Sequence, residues 1–147
     1  MKKILWMVWV LLLSGCAALN PTGGKSNGEA TADIPFLTYQ RTGGFAGVNE
    51  TWKIYFDGRL ESGSGETKQL PAEVTESLLS QIQKADMGSL AKNSQTPDNC
   101  ADCFTIQLTF HDEGKTTQLT VVPESSSADP KAVELVETIQ EALNYTP

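Results

Sequence analysis

Histidine is almost missing from this chain: His111 stands alone among 147 residues. One imidazole argues against a histidine-built zinc site, and no serine or cysteine motif is placed around it to form a nucleophile–base pair. His111 falls on the polar side of an alternating stretch beside a turn and reads as a surface residue. Cysteine is scarce as well. The three present are Cys16, Cys100 and Cys103, so a four-cysteine metal site cannot be assembled. Basic residues are few, 11 Lys and Arg against 18 Asp and Glu, and they form no patch. That balance argues against nucleic acid as a partner and against adsorption to anionic lipid, since both reward clustered positive charge. The carboxylates at Asp98, Asp102, Asp112 and Glu113 do not alternate around a glycine as calcium loops do, and read as solvated loop charges. Gly24-Lys25-Ser26 ends like a phosphate-binding loop, but Leu19 stands where the first glycine is required. Catalytic residues, metal ligands and cofactor motifs are therefore not assigned, and the chain is not read as an enzyme.

No apolar run reaches the roughly twenty residues of a bilayer-spanning helix. The longest, Ile4 to Leu13, is preceded by Lys2 and Lys3 and followed by Ser14-Gly15-Cys16. Positive charge, a short apolar core and then small residues is the layout of a secretory signal peptide. Leu13-Ser14-Gly15-Cys16 resembles the lipobox of bacterial lipoproteins, in which the cysteine thiol receives a diacylglyceryl group, the chain is cut just before it and the new amino terminus is often acylated. The resemblance implies lipidation at Cys16, with palmitate-type chains as the membrane partner. Several buried acyl chains, at about 0.8 kcal/mol per methylene, would hold the protein on a membrane essentially permanently. An ordinary signal peptide containing a cysteine by chance is the alternative. Ala17 is not the aspartate associated with inner-membrane retention in Gram-negative sorting. The expected location is thus the cell envelope: the outer membrane in a Gram-negative organism, otherwise the outer face of the cell membrane.

Residues 1–15 are accordingly assigned to the signal peptide. Residues 16–33 are the lipidated cysteine and a flexible tether, since Asn, Pro, Thr, Gly, Lys, Ser, Glu and Ala with only Leu19 as a sizeable aliphatic cannot bury enough area to offset ordering. Residues 34–147 are of a length that suits one small domain. Losing Lys2 and Lys3 makes the formal charge of -7 more negative by two, as suits an envelope protein or one that meets a basic partner.

Within the domain, 34–41 reads as a strand opened by Pro35. Trp52, Ile54 and Phe56 alternate with Thr51, Lys53, Tyr55 and Asp57, the period of a sheet with one buried face. Asp57-Gly58 is a hairpin signal, after which the chain returns through Arg59–Glu61 and runs to about Gln69. Pro71 starts a helix whose apolar positions are Val74, Leu78, Ile82 and Ala85, ending by Gly88. Residues 91–99 read as a loop. Phe104, Ile106, Leu108 and Phe110 form the next strand, 112–115 its turn, and 116–122 the return. Asp129-Pro130 opens a helix with Ala132, Leu135, Val136, Ile139 and Leu143 as its apolar stripe. The expected fold is α+β, a two-layer sandwich of about five antiparallel strands with two helices on one face, in the order βββα-ββα. Lys53, Tyr55, Gln107, Thr109 and His111 should face solvent.

Two features remain for function. In an exported chain the even pair Cys100 and Cys103 reads as a disulfide; a redox Cys-X-X-Cys would open a helix, whereas this pair precedes a strand. The second feature is Arg41-Thr42-Gly43-Gly44-Phe45-Ala46-Gly47, where three glycines in five residues demand a loop. Phe45 either folds back to cap the core or stands out as an aromatic anchor of the kind that fills a partner's pocket.

Arg41-x-Gly43-Gly44-Phe45-Ala46-Gly47 after a first strand, Asp57-Gly58 about ten residues on, a proline-started helix, and Asp102-x-Phe104 leading to Ile106 together resemble emfourin. This is a family of small bacterial inhibitors of thermolysin-like zinc metalloproteases, with many uncharacterised relatives. The likeness covers about residues 36–143. It implies a partner-binding set of Arg41, Gly43, Gly44, Phe45, Ala46, Gly47 and Asp57, with Phe45 in an apolar subsite and Asp57, at a neighbouring hairpin tip, supplying oxygen or meeting a basic cleft residue. The signal peptide, Cys16 and the Cys100/Cys103 pair depart from the family, whose namesake is a bare cytosolic domain. The competing class is a non-catalytic envelope lipoprotein that binds or scaffolds another protein.

Overall fold

The first alternation of apolar and polar residues is realised as strand β1 (Leu37–Gly43), with Leu37 and Tyr39 buried and Thr38 and Gln40 on the opposite face. The structure is a computed structural model that describes residues 34–94, 100 and 102–145. The signal peptide read at 1–15, the lipidation read at Cys16 and the tether up to residue 33 lie outside the described residues.

Strand β1 is followed by β2 (Val48–Ile54), β3 (Arg59–Ser62), β4 (Thr67–Gln69), helices α1 (Ala72–Lys84) and α2 (Met87–Lys92), strands β5 (Phe104–Asp112) and β6 (Lys115–Val121), and helix α3 (Pro130–Leu143). The fold is α+β, an open antiparallel sheet in the order β4-β3-β2-β1-β5-β6. Strand β1 occupies an interior place, Tyr39 pairing with Trp52 on one side and Leu108 on the other. Because side chains alternate along a strand, this register stacks Leu37, Ile54 and Phe110, and then Tyr39, Trp52 and Leu108, on one face. Leu60, Ile106, Leu119 and Val121 continue that face. Each such aliphatic side chain, fully buried, contributes about 1.5–3 kcal/mol.

Helix α3 follows its apolar stripe closely. Ala132, Leu135, Val136, Ile139 and Leu143 are all buried, Pro130 holds the first turn and the Asp129 carboxylate accepts from Lys131 N at 2.9 Å. Helix α1 packs against α3, while α2 packs on β6.

Three departures from the sequence reading have local causes. The segment 59–69 is two strands rather than one, because Gly63 to Gly65 form a tight turn in which Gly65 N donates to Ser62 O and Ser62 N to Glu66 O; the sheet has six strands, not about five. Gly88 does not end the helical region. Asp86, at φ 39°, breaks α1 from α2 and caps the latter by accepting from Ser89 N, so a third helix forms with Leu90 buried. Finally, β2 stops at Ile54, and the reversal spans Tyr55 to Arg59, with Gly58 at φ +83°. This is the three-residue hairpin in which a type I turn is completed by a left-handed glycine. Phe56, expected to continue the buried row, is therefore half exposed beside Phe36. Tyr55 sits under the Arg59 guanidinium and donates to Glu61, and is buried where a wet position was expected. Lys53 is exposed as expected, and Gln107, Thr109 and His111 are half-buried.

Candidate functional site

The loop joining β1 to β2 carries the most exposed large apolar side chain among the described residues: Phe45 is 97 % exposed. Of the two readings open from the sequence, the core-capping one is ruled out. The turn is closed by Gly47 N donating to Gly44 O at 3.0 Å, and Gly43, Gly44 and Gly47 all have positive φ, a conformation that other residues adopt at a cost. Phe45 and Ala46 occupy the two central positions and project outward, both exposed.

The loop stands on the segment leading into β5. Gly44 N donates to Cys103 O at 3.1 Å. A Cβ on Gly43 would come within 2.5 Å of that same carbonyl oxygen, and one on Gly44 within 2.5 Å of the Phe104 ring. Cys103 in turn is bonded to Cys100, their α-carbons 5.4 Å apart. The disulfide expected from the sequence is thus a brace under the loop.

Beneath the loop, Arg41 lies on the core-facing side of β1, opposite Glu50 on β2 and Ile106 on β5. Its guanidinium stacks over the Phe104 ring, 3.7 Å from the centroid, a cation–π contact worth about 0.5–2 kcal/mol. Its Nε is buried without a hydrogen-bond partner among the described residues, an arrangement that costs about 1–3 kcal/mol or more for a charged donor. Arg41 faces a cavity of about 220 Å³ lined also by Tyr39, Glu50, Gln140, Leu143 and Asn144. Gln140 donates its side-chain amide to the Tyr39 oxygen at 2.9 Å, and the Trp52 indole N–H donates to Glu50 Oε1 at 2.7 Å. Burial pushes the Tyr39 phenol above its ordinary value of 10.0, against the opposing pull of the Gln140 hydrogen bond and the Arg41 charge; nearby Glu50 adds to the rise.

The fold brings Arg41, Gly43, Gly44, Phe45, Ala46, Gly47, Cys100 and Cys103 to one end of the sheet, but not Asp57. Strand β2 runs from the Phe45 loop to the Asp57 turn, so the two tips are separated by its seven residues, roughly 20 Å. The expectation of neighbouring tips is corrected accordingly. Nor does Asp57 reach outward alone: its carboxylate accepts from Arg59 N at 3.0 Å and lies 3.9 Å from Arg59 Nε, as turn-forming aspartates do. The Asp57 end of the sheet also carries an apolar groove of about 320 Å³ between Phe36, Phe56, Leu79, Ile82, Met87 and Phe110.

The sequence reading found Arg41 but missed its partners in the cavity. One signal was available: Leu37, Tyr39 and Arg41 share a parity, which puts a charged group on the buried side of a strand. Glu50 and Gln140 carry no such mark. Among the described residues no three His, Cys, Asp or Glu side chains gather as metal ligands, and no helix is long and apolar enough to cross a membrane. No family model matches the chain, and no curated protein matches it.

Proposed function

We propose that this chain is an extracytoplasmic lipoprotein, anchored through acyl groups on Cys16, whose folded part binds a protein partner through the Gly43–Gly47 loop. In this reading the domain is a two-layer sandwich, with α1 and α3 over the face that carries Tyr39 and Leu108. The observation that supports the binding role most is Phe45, 97 % exposed on a loop held by Cys103 and Phe104. Exposing an aromatic ring on a fixed turn costs solvation that a pocket returns, and such residues dominate the energetics of protein interfaces.

The resemblance to emfourin supplies the partner class: a thermolysin-like metalloprotease, whose subsite beside the scissile bond takes bulky apolar side chains. Phe45 fills that subsite, Ala46 offers a backbone oxygen near it, and Arg41 with the disulfide keeps the loop in place. Asp57, at the far end of β2, takes no part in the same contact.

The test is a panel of thermolysin-like proteases assayed with the wild-type chain and Phe45→Ala. Loss of the buried ring, about 1.5–3 kcal/mol, should weaken inhibition roughly 10- to 100-fold. No inhibition by the wild-type chain at micromolar concentration would remove the protease reading and leave the second one, a non-catalytic envelope module using the same loop on another protein. That reading is favoured by the same exposed ring and is checked by cross-linking from position 45 in intact cells. Anchoring is tested separately: Cys16→Ser should abolish incorporation of labelled acyl chains, read by mass spectrometry of the purified chain.

A further inference from the structure

The cavity under the loop holds two opposite charges with no direct ion pair between them. Arg41 and Glu50 face one another across β1 and β2, yet Arg41 forms no ion pair with it, and one Glu50 oxygen is taken by the Trp52 indole. The flat side of the Arg41 guanidinium is covered by Phe104, which leaves its in-plane N–H donors as the directions in which a ligand can be met. The buried Nε has no acceptor among the described residues. Tyr39 receives the Gln140 amide on its oxygen, so its own O–H remains to be donated. Glu50 keeps its second oxygen as an acceptor.

These groups select by sign. A phosphate or simple carboxylate that approached Arg41 would bring its charge up to Glu50, and an amine drawn to Glu50 would meet Arg41. A ligand carrying both signs a few bonds apart satisfies both. The volume, about 220 Å³, is room for roughly seven water molecules, which suits a small polar group and falls below the size of drug-like pockets.

We propose that this cavity is a binding site for an α-amino-acid zwitterion, its carboxylate held by Arg41 and the Tyr39 O–H and its ammonium by Glu50. The chemistry is the same for a free amino acid and for an amino-acid group at the end of a larger molecule. Leu143, at the end of α3, supplies the apolar wall on which a side chain or linker rests. The site does not depend on what Phe45 contacts.

The experiment follows the Arg41 Nε–Hε resonance of the purified full-length chain in detergent by proton–nitrogen NMR, assigned by its loss in Arg41→Lys. L-alanine represents the free ligand and Nε-acetyl-L-lysine the terminal group of a longer one. A saturable shift with a dissociation constant below about 10 mM is expected for at least one, and the tighter of the two identifies the source. Acetate and methylamine, each carrying half of the charge pattern, should bind at least about tenfold more weakly, as loss of a charge-assisted hydrogen bond requires. Glu50→Gln keeps an acceptor for Trp52 and removes the negative charge; it should weaken L-alanine about tenfold or more without weakening acetate. Absence of a saturable shift with either amino acid, equal binding of acetate, or unchanged affinity in Glu50→Gln with dispersed spectra would each overturn the proposal.

Discussion

The α-carbon of Gly44 is set so close to the ring of Phe104 that an added methyl would lie 2.5 Å from Cε1 and 2.7 Å from Cζ. Gly47, three residues on, has open space at the same position. Both are left-handed, with φ of +70° and +61°. Gly47→Ala should therefore cost only the backbone term, about 1–2 kcal/mol. Gly44→Ala should cost that and the displacement of Phe104 from under Arg41, about 2–4 kcal/mol in all. Urea midpoints of the two variants, at unchanged slope, check the order; equal midpoints would show that the Phe104 ring does not press on Gly44.

Phe45→Ala removes a side chain that packs on nothing, so unfolding should shift by no more than about 0.5 kcal/mol. A larger loss by thermal or urea denaturation would mean that the ring folds onto the domain in solution.

Cys100 and Cys103 are three residues apart, and closing so short a loop removes little unfolded-state entropy, about 2 kcal/mol at most. Reduction, or a double Cys→Ser variant, should lower stability by no more than that. It should also raise hydrogen exchange at Gly44 N, whose acceptor is the Cys103 carbonyl. Exchange at the β3–β4 turn should not change.

Tyr39 has a folded-state pKa above its ordinary value of 10.0, chiefly through burial. Tyr55 is raised too, by burial first and then by its hydrogen bond to Glu61. The unfolded phenols release their protons first as pH rises, so above pH 10 the folded state binds more protons than the unfolded one and stability falls. Below that pH the contribution is fully present. Melting temperature against pH should thus bend downward above about pH 10, and Tyr39→Phe should make the bend shallower. An identical slope in Tyr39→Phe and wild type would contradict the buried placement of the phenol.

The class of fold was legible because burial and period coincide in long elements. Phe104, Ile106, Leu108 and Phe110 could only alternate as a strand, and the stripe from Ala132 to Leu143 only as a helix. What escaped the sequence were short elements decided by single hydrogen bonds. Whether Gly88 ends a helix or sits inside one depends on the Asp86 carboxylate reaching Ser89 N. Whether Phe56 is inside depends on where β2 hands over to its turn, a shift of one residue that exchanges the faces. The site divides in the same way. The glycines announce the Phe45 loop, since a chain with positive φ at three positions needs them. The cavity of Arg41, Glu50 and Gln140 is drawn from three elements, and only the sheet register and the seating of α3 bring them together. The separation of Asp57 from Phe45 also follows from topology: consecutive turns of an antiparallel meander fall at alternate ends.

The same alternation sets a direction. Residue 34 joins the sheet at the start of β1, one strand length from Phe45, so a chain tethered to a lipid surface through its amino-terminal side receives its pull at the pole opposite the aromatic tip. On the lipid anchoring proposed above, the attachment and the groove around Phe36 and Phe56 share one pole of the domain, and Gly43–Gly47 stands at the other.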